Sequence, residues 1–142
     1  MGKKNAEIRA ITDEEAYKAG MEDLSKAIAK VMEFGEIAWK KGLIELEEET
    51  WRLDMGTSER YLKTMTMLVV DGTDSDQIEE ISMLRYFAEG LTGFEALRYL
   101  IYLVGILTIQ RGENPHIIEE KLHAMMPRKE NTRVISFTID IV

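Results

Sequence analysis

Residues 97–109 read LRYLIYLVGILTI, the most apolar stretch in the chain. Its reading decides the fold: either it anchors the chain in a membrane, or the other helices bury it. A membrane span needs roughly 20 apolar residues. This run has thirteen, includes Arg98 and follows closely on Glu95. It is therefore read as a buried helix. The first residues, MGKKNAEIRAITDEE, contain no apolar segment of signal-peptide type. The expectation is a cytoplasmic protein with no membrane span.

Composition supports a folded chain. Its 142 residues suit one domain, 1–142, and 45% hydrophobic with 31% charged residues are globular values. Lys plus Arg is 18 against 26 Asp plus Glu, a net charge of −8. That balance argues against nucleic acid and anionic lipid as partners and suits docking to a basic protein patch. With no cysteine there is no disulfide framework and no thiolate chemistry.

Working outward from the apolar run, Thr92 caps its helix and Gly112 closes it. Asn114-Pro115 then starts a short helix, HIIEEKLHAMM, an N-cap followed by proline at the first helical position; Pro127 stops it. Upstream, Ser58 caps SERYLKTMTMLVVDG, with Gly72 as a left-handed C-cap. Asp76 caps the next helix and Gly90 ends it. At the N-terminal side, Thr12-Asp13-Glu14-Glu15 forms a capping box. Tyr17, Met21, Leu24, Ile28 and Val31 make one apolar stripe, which resumes through Ile37, Ile44 and Leu46. The spacing predicts one helix to about residue 52, bent at Gly35 or Gly42. The expected core comprises Leu24, Ile28, Val31, Leu68, Leu100, Leu103, Leu107 and Leu122. The tail, 131–142, differs: TRVISFTIDIV alternates, with Ile135, Phe137, Ile139 and Ile141 on one face. The predicted fold class is mostly α, a long N-terminal helix with a bundle of shorter ones and a C-terminal β-strand. No second strand is visible to pair with it, so residues 134–141 are expected to self-associate by strand addition between copies.

Three pieces carry a resemblance. They are Lys41-Gly42-Leu43-Ile44-Glu45-Leu46-Glu47; Met67-Leu68-Val69-Val70-Asp71-Gly72-Thr73-Asp74 followed by Ile78-Glu79-Glu80; and Gly105-Ile106-Leu107-Thr108-Ile109-Gln110-Arg111-Gly112-Glu113-Asn114-Pro115-His116 continuing into Ile117-Ile118-Glu119-Glu120-Lys121-Leu122. In this order they resemble the cytoplasmic parts of the flagellar stator branch of the MotA/TolQ/ExbB family, over roughly residues 20–128. The family places two membrane helices before the first piece and two more between the second and third. Here the first pair has no counterpart, and the two dozen residues between Glu80 and Gly105 are too few for the second. The resemblance therefore implies a stator-like soluble docking domain that cannot conduct ions. It further implies a rotor or stator component as partner, with Glu47 at the family's acidic docking position. The family's docking arginine falls on Trp39. Lys40 and Lys41 stand about 100° and 200° further round the helix. Lys40, Lys41, Glu45, Glu47 and Glu48 are the candidate partner-binding residues.

Other constellations point to no chemistry. Asp71, Asp74 and Asp76 fail the EF-hand pattern, whose sixth position needs Gly and twelfth Glu; here they are Asp76 and Ser82. His116 and His123 lie seven apart, wider than zinc pairs usually stand. The nine methionines suit core or adaptable contacts. The chain holds no nucleophile–base pair and no phosphate loop. The expected function is a non-enzymatic protein-interaction module without cofactor or metal. The alternative is a self-assembling structural homo-oligomer unrelated to motility.

Overall fold

The computed structural model describes residues 13–128. Thr12 of the capping box and the strand read at 134–141, with Ile135, Phe137, Ile139 and Ile141, lie outside the described residues. Among those described there are six helices and no strand. They are α1 (Asp13–Lys40), α2 (Leu43–Thr50), α3 (Glu59–Val70), α4 (Ser75–Glu89), α5 (Gly93–Gln110) and α6 (Pro115–Ala124).

The apolar run forms α5, and α5 is the centre of the fold. It packs against α1, α3, α4 and α6. By length and composition alone this helix could cross a membrane, yet 61% of it is buried by its neighbours. Ile101, Ile106 and Tyr99 have almost no exposed surface. That burial accounts for a hydrophobicity which otherwise suggests lipid. Arg98, the charge inside the run, sits at the rim with Nη1 3.7 Å from Asp23 of α1.

α1 and α5 lie side by side, parallel and in register. A Cβ on Gly20 would strike Phe94, one on Gly105 would strike Val31, and one on Gly35 would come within 2.7 Å of Ile118 and 3.9 Å of Ile109. The pairs 20/94, 31/105 and 35/109 share one offset, so contact runs the length of the helix pair. Glycine at these points lets two backbones approach more closely than side chains would permit.

The predicted single helix to residue 52 is corrected. Gly35 lies inside the continuous helix α1 as a packing notch. The chain breaks at Lys41-Gly42, where Gly42 takes φ 98°. The amides of Lys41 and Gly42 both donate to the Ile37 carbonyl, which closes α1. The break also resets the helical phase. Leu46 turns into the core, whereas Ile44, read as part of the stripe, is 74% exposed. Leu24, Ile28, Val31, Leu103, Leu107 and Leu122 are buried as expected; Leu68 and Leu100 are only partly so.

The caps are also refined. Asp74, not Asp76, caps α4: its extended backbone lets Oδ1 accept from the Gln77 amide at 3.0 Å. Ser58 is already helical and makes no capping bond. Thr57 Oγ1 accepts from the Glu59 amide instead. Thr92 precedes α5 without a side-chain cap. Asn114 caps α6 as predicted, accepting from the His116 amide at 2.8 Å, with Pro115 next in line.

Tyr61, Tyr86 and Tyr99 pack as a layer between α3, α4 and α5, with ring centroids 5.2 Å and 5.6 Å apart. The Tyr99 hydroxyl donates to the Ser82 carbonyl. Burial pushes the Tyr99 phenol up to about 12. Burial also raises Tyr102.

Candidate docking surface

The second and third pieces of the motif are far apart in sequence and meet in space beside the end of α1, from which the first piece follows. The second and third join where Gln110 Nε2 donates to the Thr73 carbonyl at 2.7 Å. The third meets the end of α1 in a small cavity lined by Gly35, Ala38, Trp39, Ile109, Gly112 and Ile118. The C-terminal ends of α1, α3 and α5 therefore gather at one end of the molecule. Similar turns finish α3 and α5. Gly72 and Gly112 have positive φ, and the next amides, of Thr73 and Glu113, reach back to the carbonyls of Leu68 and Thr108. Lys121 Nζ, 2.7 Å from Glu113, ties α6 to the second of these turns.

The first piece forms the corner beside this gathering point. Lys40 is exposed and ion-paired to Glu36 at 2.9 Å. Lys41 is exposed in the break, as are Glu45 and Glu48 on α2; Glu47 is half-buried. Among the described residues, Glu45, Glu47 and Glu48 make no ion pair, whereas Glu49 is held by Arg52 at 2.9 Å. The five candidate residues thus share one corner, with the two lysines before the break and the three acids after it.

The charge pattern missed the apolar part of the corner. Trp39 is 53% exposed, Leu43 and Ile44 are also exposed, and Trp51 is 60% exposed beneath Lys63 Nζ, 4.3 Å from its ring centroid. A sequence signal existed: Gly42 followed by two large apolar residues, one too many for a single buried stripe. Beside the corner a groove of about 270 Å³ runs between α1 and α6, lined by Met32, Glu36, Trp39, Lys40, Asn114 and His116, among others. Such a groove is small for a drug-sized ligand and open to solvent. His116 reaches Glu120 at 3.9 Å, both exposed.

The aspartates after α3 have separate tasks. Asp71 ends α3, Asp74 caps α4 and Asp76 lies in its first turn. The corner offers an exposed surface of mixed charge around indole and aliphatic groups, suited to protein contact. The chain matches no protein-family model, no curated protein sequence and no solved structure.

Proposed function

We propose that this chain is a non-enzymatic interaction module, a stator-like cytoplasmic docking domain that binds a flagellar rotor or stator protein through the α1–α2 corner. One observation carries the reading. The second and third pieces meet the end of α1 at one end of the molecule, and the first piece, which follows it, exposes Leu43 and Ile44 next to Trp39, between lysines and glutamates that form no ion pair among the described residues. Exposed large apolar groups inside a charged rim are the usual anchors of a protein interface. The lysines and acids add orientation and rate of encounter more than affinity.

The test is binding of the purified chain to the rotor's switch protein, measured by calorimetry. Ile44→Glu is expected to weaken binding about tenfold or more. Glu47→Lys is expected to weaken it less and to make the residual binding less salt-sensitive. Wild-type protein that fails to bind, or an Ile44→Glu variant of unchanged affinity, would end the rotor-docking reading.

A further inference from the structure

The outward face of α4 is apolar, and among the described residues no other helix covers it. Ile78, Ser82 and Tyr86 point inward. On another side lie Ile81, Leu84, Phe87 and Ala88. Leu84 is 65% exposed and Phe87 52%. Ala88 is exposed, and Ile81 is half-buried without joining the core cluster. At about 100° per residue, Gln77, Ile81, Leu84 and Ala88 fall within about 60° of one another. Their spacing of four, three and four is that of a coiled-coil seam.

The charges beside this seam specify a partner. Glu80 flanks it on one side and Arg85 on the other. Among the described residues neither forms an ion pair. In a parallel helix pair, a residue at g meets the partner's residue five positions later, at e. Glu80 and Arg85 occupy those two positions. Two-fold symmetry would form the contact twice, Glu80 to Arg85 and Arg85 to Glu80. An antiparallel pair sets g against g and leaves Glu80 without a cation.

We propose that α4 is a homodimerisation helix, pairing in parallel with α4 of a second copy. This surface is separate from the α1–α2 corner, so the proposal stands without the docking function. A 15-residue helix is about 22 Å long. Two such faces bury less than the roughly 800 Å² per partner of a standard interface. An interface this small belongs to the weak, transient class. A bilayer is the poorer occupant, because the net charge of −8 opposes anionic lipid.

The experiment is sedimentation velocity on the full chain from about 1 µM to about 500 µM, the range in which so small an interface associates. The expected result is a monomer passing to a dimer. Leu84→Glu, at an exposed position, should keep its circular dichroism and weaken the dimer at least tenfold. Arg85→Glu should weaken it as well, and the double swap Glu80→Arg with Arg85→Glu should restore it. A monomer at every concentration overturns the proposal, including one that floats with phosphatidylcholine vesicles through Leu84. An oligomer indifferent to Leu84→Glu overturns it too, since another surface then holds the copies together. A double swap that restores nothing overturns the parallel arrangement.

Discussion

At the scale of single residues, two glycines separate two physical causes. A Cβ on Gly105 runs into Val31, while a Cβ on Gly42 meets nothing within 4 Å but forces an unfavourable φ. Gly105→Ala is expected to cost about 1–3 kcal/mol through overpacking, and Val31→Ala in the same chain should recover part of it. Gly42→Ala should cost about 1–3 kcal/mol, because φ 98° with ψ −170° is a region essentially only glycine occupies, and no neighbouring truncation should relieve it. Urea denaturation of the three variants distinguishes the two patterns. Tyr99 makes the pH dependence readable. Its folded phenol titrates at about 12, above the ordinary 10 of an unfolded tyrosine. The folded state therefore holds the proton more tightly. Stability from this group is complete below pH 10 and is lost as the pH rises toward 12. Tyr99→Phe should flatten that alkaline decline, as followed by denaturation midpoints at stepped pH, while costing about 1 kcal/mol at neutral pH for the lost hydrogen bond to Ser82.

At the scale of elements, the caps show how far a sequence can be read. Asn114-Pro115 was legible because the polar residue and the proline act together on one helix start. The α4 cap was not, since Asp74 and Asp76 are equally good caps in isolation. The choice is made by the turn at Gly72-Thr73, which sets where helical geometry resumes. Asp74→Ala is expected to cost about 1 kcal/mol. Asp76→Ala should cost less than about 0.5 kcal/mol, since only its interaction with the helix dipole is lost. Thermal melts that reverse this order would assign the cap to Asp76. The long first helix failed in the sequence for a similar reason. A glycine within an apolar stripe is compatible with a helix that continues, and only the lost phase after Gly42 exposes the break. The five charged candidates were visible in the sequence. Leu43 and Ile44 were only half legible: two adjacent large apolar residues cannot share one buried stripe, but which of them faces water depends on the helix phase, and here both do.

At the scale of the whole molecule, α5 is the element every other packing depends on, except for α2. Among the described residues, helix α2 leans chiefly on α1 and α3. Stability should be graded accordingly. Amides across 101–109 are expected to exchange slowest and those of α2 fastest, as hydrogen exchange read by mass spectrometry would show. Equal protection of α2 and α5 would mean the corner is held as firmly as the core. The two tryptophans give this corner one more property. Trp39 and Trp51 are the only indoles in the chain. One ends α1 and the other ends α2, and both are largely in water. Tryptophan fluorescence, excited beyond the tyrosine band, thus comes wholly from the candidate docking corner and reports almost nothing about the core. Emission should already be solvent-like in the native state and shift little on unfolding, while a protein seated on the corner should move it to the blue. An unlabelled chain carries its own optical reporter, placed where a partner would arrive.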